Sequence, residues 1–155
     1  MAVEQRSGVT VLEVHTCWSL LRTAEVGRLA VFTAHYPEIF PINYLVDHGT
    51  IVFRTGDGTK LTAALARPQV AFEVDGYDPD AGEAWSVVVK GQAEEINAVP
   101  EVLDAMTFPL FPWHAGPKHR LVRIVPDDIS GRRFHVLDSA AWRTTMTDAP
   151  SSPTE

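Results

Sequence analysis

The sequence contains one cysteine, Cys17, so no intrachain disulfide can form, a usage that suits a reducing compartment. It also has no run approaching the ~20 consecutive apolar residues that a membrane-spanning helix requires. Its opening MAVEQRSGVT lacks the charged-then-apolar order of a secretory leader. The expectation is a cytoplasmic protein with no membrane partner. Basic residues are in the minority, 13 against 20 acidic, for a net charge of −7. Affinity for a nucleic-acid backbone rests on cation density, so nucleic acid is not expected as the partner, although a local basic pocket for a small anion is compatible with this balance. The histidines His15, His35, His48, His114, His119 and His135 show no metal-ligand spacing, neither HExxH nor a Cys/His pairing, and no metal is expected.

What is present fits one domain. A chain of 155 residues that is 45% hydrophobic can bury one real core. We read residues 1–10 as an N-terminal arm, 11–137 as the folded unit, and 138–155, whose TTMTDAPSSPTE is poor in large apolar side chains, as a flexible tail. Residues 11–23 place Val14, Cys17, Trp18 and Leu21 on one face at helical spacing, with Thr16 or a neighbour as the cap. Short β-type runs follow over 27–34, 38–46, 50–55, 69–77, 84–96, 121–130 and 131–137, giving six or seven strands. Asp47-His48-Gly49 between two of them predicts a hairpin with a three-residue loop and one left-handed residue. Two further short helices are predicted over 60–66, stopped by Pro68, and over 100–106. Strands dominate without β/α alternation, so the expected class is mainly β, a small barrel with helices on its rim. TFPLFPWHAGP (107–117) is too rich in proline for a regular element, yet apolar enough to lie against the core or a second subunit.

One turn carries chemistry. In VFRTGDGTKLTAAL (52–65) a strand ends at Arg54 and Thr55, Gly56 and Gly58 permit unusual backbone angles, Thr59 can cap a helix, and Lys60 stands in the first helical turn. Guanidinium, ammonium, hydroxyl and free amide donors are what a phosphate ester needs. Lys60 opposes the helix dipole by a few tenths of a kcal/mol, which a bound anion would relieve. Against this, GDGTKL has Leu61 where a dinucleotide fingerprint needs glycine, lacks the Lys-Ser/Thr pair of a P-loop, and places Asp57 inside the turn. On the residues alone, the turn is either an anion site or a plain connector.

The order CWSLL, VGRLAVFTAHYPEIFPINYLVDHGTIVFRTGDGTKLTAA, VAFEVDGYDPDAGEAWSVVVKGQAEEI and RIVPDDISGRRF resembles pyridoxamine 5′-phosphate oxidase-like proteins with an FMN-binding split barrel. In particular it is similar to their actinobacterial flavin-binding branch, related to nitroimidazole-resistance reductases. The resemblance spans roughly residues 11–137. It implies a six-stranded Greek-key split barrel, a homodimer with flavin at the subunit interface, and FMN-dependent oxidation or reduction of a small molecule. It also implies that Arg54, Thr55 and Lys60 hold the FMN phosphate with Leu61 at the helix start, that Pro41, Ile42, Asn43 and Tyr44 run along the isoalloxazine ring, and that Trp85 and Ser86 reach the flavin from the other subunit. Ala84 stands where the family more often has glycine, which leaves the local backbone path open.

Beside each of these stands a plainer reading. Trp85 before Ser-Val-Val-Val is equally a core aromatic, and Asn43 in an apolar strand can be satisfied within the sheet, although a flavin pyrimidine edge would satisfy it too. Cys17 reads as a small core residue, and Arg132 and Arg133 as solvated charge. No catalytic side chain is assigned, because a flavin carries the redox chemistry itself. A deazaflavin coenzyme is the alternative cofactor, and a non-enzymatic protein that stores or senses flavin or haem is the alternative function. Pyridoxamine phosphate is not named as substrate, since SGRRFHVLDSAAW does not reproduce the C-terminal Arg and His pattern of the true oxidases.

Overall fold

Alternation of large apolar with polar residues makes each strand bury one face, and the buried faces here meet inside a curled sheet. The computed structural model describes residues 8–56, 58–96 and 120–136, with the backbone alone at 59–61. The elements are β1 (Val9–Val11), α1 (Val14–Leu21), β2 (Val26–Phe32), β3 (Pro37–Asn43), β4 (Leu45–Asp47), β5 (Thr50–Thr55), α2 (Thr59–Ala66), β6 (Gln69–Asp78), β7 (Glu83–Glu95) and β8 (Arg120–His135). One antiparallel sheet runs β3-β2-β6-β7-β8-β5-β4, with β1 added along β8. Leu29 and Val31, Phe72 and Val74, Val87 and Val89, Ile51 and Phe53, and Val122 and Ile124 fill the inside. The predicted helix over 100–106, the segment 107–117 and the tail lie outside the described residues.

The two ends of the sheet path, β3 and β4, are joined through a single residue, Tyr44. Its amide bonds to the Glu25 carbonyl at 3.2 Å, and its buried hydroxyl donates to the carbonyl of Leu21, the last residue of α1. Its ring meets Phe72 edge-on, with centroids 4.8 Å apart. Counted through Tyr44, β3 and β4 are the one strand expected over 38–46, and the barrel body has the expected six strands.

Several local expectations are corrected. The two strands expected over 121–130 and 131–137 are one, β8 (Arg120–His135), because Gly131 serves close packing: a Cβ there would stand 2.6 Å from Cys17 Sγ. The real irregularity lies at Pro126, which has no N–H for the ladder. The register shifts between Lys90 and Gly91, leaving Asp127 bulged. The hairpin loop has two residues, His48 and Gly49, both with positive φ, as a primed turn requires. The helices begin earlier than their expected caps: Glu13, not Thr16, precedes α1, and Gly58, not Thr59, precedes α2. Cys17 and Leu21 are buried and Trp18 packs beside them, whereas Val14 is 55% exposed. Strand β1, which the sequence did not suggest, takes up the end of the expected N-terminal arm.

Two outcomes test this packing. Gly131→Ala should cost about 1–3 kcal/mol in chemical denaturation, and Cys17→Ala in the same chain should recover part of that loss because it removes the clashing atom. Burial raises the Tyr44 phenol pKa above its ordinary value. The folded state therefore favours the neutral form, and its contribution is present below pH about 10 and lost as pH rises beyond it. Tyr44→Phe should flatten that alkaline fall in stability; an unchanged slope would assign the fall to other groups.

Candidate functional site

Strand β5 sorts its side chains by parity. Ile51, Phe53 and Thr55 face inward, whereas Val52 and Arg54 face outward. Thr55 is 3% exposed, and its hydroxyl donates to the Gly56 carbonyl at 3.3 Å. Arg54 is half-buried on the outer face opposite Leu121. Just beyond, Gly58 leads into α2, where the Thr62 amide closes the first turn on the Gly58 carbonyl at 3.0 Å. The residues ahead of Thr62 supply the amides that a helix N-terminus leaves without intrahelical partners. Lys60 and Leu61 lie in this turn, as the sequence suggested, with side chains outside the described set.

Strand β3 is divided in the same way. Ile42 is 3% exposed and belongs to the core, whereas Pro41 and Asn43 face outward. The Asn43 amide oxygen is buried and has no hydrogen-bond partner among the described residues. Continuing the β4–β5 register back from Leu45↔Val52 brings Asn43 level with Arg54, and β3 and β5 are in contact. The outer face at the mouth of this hairpin thus holds a half-buried guanidinium and an orphaned acceptor one strand apart. Tyr44 between them turns inward, so it offers this face backbone groups and not its hydroxyl.

Trp85 and Ser86 lie elsewhere. Trp85 faces inward and is half-buried, its indole lying over Gly76, where a Cβ would come within 2.5 Å. This is the core aromatic of the plainer reading. Ser86 faces outward between Asp75 and Arg132, and Ala84 pairs regularly with Tyr77 and Phe134. Along β8, Arg54 is level with Leu121 and Ser86 with Arg132, separated by roughly 35 Å of strand path. One chain brings Arg54, Thr55 and Asn43 together but not Trp85 and Ser86.

Two charged groups on the outer face escaped the sequence reading. Arg123 stands opposite Val52, diagonal to Arg54, and bonds Asp47 at 3.3 Å, bracing the hairpin. Arg28, directly opposite Pro41, meets Glu73 at 3.0 Å and Asp75 at 3.3 Å. The alternation in LVRIV, GRLAV and FEVD puts each of these charges on the outward face, but their pairing depends on strand order, which no local pattern encodes.

Among the described residues, no helix is long and apolar enough to cross a membrane. Residues 13–133 match the family model for pyridoxamine 5′-phosphate oxidase. A Mycobacterium tuberculosis protein of unknown activity, Rv0080, is 34% identical over 136 residues, covering 84% of this chain and 88% of its own. A Corynebacterium glutamicum structure is similar at 38% identity and TM-score 0.75, over 83% of this chain and 99% of that one. The FAD-binding protein of Mycobacterium smegmatis is similar at 36% identity and TM-score 0.69, over 81% and 98%. The curled six-stranded body is the split barrel of these proteins, and the chain belongs to the pyridoxamine 5′-phosphate oxidase family.

Proposed function

We propose that this protein is a flavin-dependent oxidoreductase, cytoplasmic and homodimeric, that binds FMN on the outer face at the β3–β5 mouth and acts on a small molecule. The observation that carries the reading is the buried, unpartnered Asn43 oxygen beside Arg54. A buried acceptor without a donor is costly, and the imide N–H of a flavin pyrimidine supplies the donor. Arg54, the amides opening α2, and Lys60 would hold the phosphate. Thr55, whose side chain faces inward, and Leu61 would fix the backbone of that turn, while Pro41, Ile42 and Tyr44 would line the ring through backbone atoms. When bound, the flavin supplies the two-electron chemistry. Ser86, which faces outward, would complete the site from the second chain, with Trp85 packed against the core beside it and fixing the strand's path, which accounts for their distance from Arg54 within one chain. The resemblance to the M. smegmatis protein makes FAD, which contains the same ring and proximal phosphate, the second ligand to test.

Purified protein should show the bands of oxidised flavin, or acquire them on titration with FMN or FAD. Failure to bind FMN, FAD or deazaflavin would overturn the reading, and binding without reduction by any reduced nicotinamide would favour a store or sensor. Lys60→Ala should weaken FMN about tenfold or more while sparing riboflavin, since it removes a charge-assisted bond to phosphate alone. Asn43→Ala should weaken every flavin yet leave the ligand-free protein as stable or more so, because it removes an unsatisfied group. Equal loss of FMN and riboflavin in the first variant, or a destabilised apoprotein in the second, would count against these roles.

A further inference from the structure

One cluster of charges on the outer face has no part in the reading above. Strand β2 lies between β3 and β6, so Arg28 stands directly opposite Pro41 on one side and Glu73 on the other. Its guanidinium is held by both carboxylates of β6, with Nη1 at 3.0 Å from Glu73 Oε2 and 3.3 Å from Asp75 Oδ2. Nη2 lies 3.5 Å from Asp75 Oδ1. Two carboxylates against one cation leave the cluster at −1 when both are ionised. Burial, reinforced by Asp75 and offset in part by Arg28, raises the Glu73 pKa above the ordinary glutamate value. Of the other charges on this face, Lys90 is diagonal to Glu73 through Val88, and Arg132 lies beyond Ser86 from Asp75.

We infer that Arg28, Glu73 and Asp75 form the charge-balancing group of the flavin site, in which Arg28 offsets the negative charge that two-electron reduction places on the ring and Glu73 takes up a proton as that charge appears. The inference rests on the flavin reading, because Pro41 and Asn43 are the outward residues of the strand proposed to carry the ring. The balance is complete: two electrons and a proton, delivered as hydride by a reduced nicotinamide or separately by dithionite and solvent, enter the ring, and one further proton passes from water to the Glu73 carboxylate. New negative charge beside Glu73 strengthens its hold on a proton. By reciprocity, a proton on Glu73 makes reduction easier. Asp75, which is 51% exposed and shares its cation with Glu73, keeps Arg28 in place.

The test is the midpoint potential of protein-bound flavin, measured against pH by dithionite titration. The wild type should show a steeper fall of potential with pH over an interval beginning above the ordinary glutamate range. Glu73→Gln keeps the side chain's shape but cannot titrate, so it should abolish that steep segment while still binding oxidised flavin. Arg28→Gln should weaken binding of reduced flavin roughly tenfold more than of oxidised flavin, as expected from loss of one nearby unit charge. Should Glu73→Gln not fold, Asp75→Asn serves in its place, because it strips one carboxylate from Arg28 and should raise the potential. If the wild type binds no flavin, this inference and the flavin reading fall together. If it binds flavin but the potentials of wild type and variants run parallel at all pH values, this inference alone falls.

Discussion

Everything on the outer face depends on one hydrogen bond inside the barrel, the Tyr44 hydroxyl donated to the Leu21 carbonyl. Tyr44 is the single residue between β3 and β4, and these strands are the two ends of the sheet path. Turning its ring inward against Phe72 closes the curled sheet and anchors the C-terminal end of α1. Because side chains alternate across a strand, Tyr44 inward requires Asn43 outward, and the hairpin register then sets Asn43 beside Arg54. A one-residue slip would exchange the faces, burying Arg54 in the core and exposing Phe53. The core and the outer-face site are thus specified by the same register.

Much of this was legible in the sequence because it is local. Period-two alternation located the strands, and Asp47-His48-Gly49 marked the hairpin, although the loop is one residue tighter than expected and uses two left-handed residues. What could not be read depends on long-range neighbours. Gly131 looked like a strand break, yet it is the space in which Cys17 sits. Strand β1 is three exposed residues whose only reason to extend is the free edge of β8. For the site, Arg54 was legible by position, and the buried oxygen of Asn43 was foreseeable as an amide in an apolar strand. Local patterning could say neither that Thr55, Ile42 and Trp85 point inward nor that Ser86 lies far along β8 from Arg54.

The acidic balance of the chain sets limits without deciding the matter. With net charge −7, long-range attraction of an anion is unfavourable, but screening at physiological ionic strength confines such effects to about 8 Å. Arg54 and Arg123 lie on one face of β5 and β8, so among the described residues two guanidinium groups contribute positive charge at the hairpin mouth, with Asp47 turned toward Arg123. A further unit, Arg120 held by Glu95 in a two-pronged pair, sits at the same end of the sheet opposite Thr55. Among the described residues, Asp47 and Glu95 at this end of the sheet are therefore each engaged with an arginine, and short-range donors decide what can bind.

The separation of Arg54 from Ser86 has an energetic consequence for the proposed assembly. A ligand that touches both must touch two chains, so its binding energy also holds the chains together. Saturating ligand then favours the dimer by mass action, to an extent that grows with ligand concentration over its dissociation constant. Reciprocally, any weakness in chain association appears as weak ligand binding even when Arg54 and Asn43 are intact.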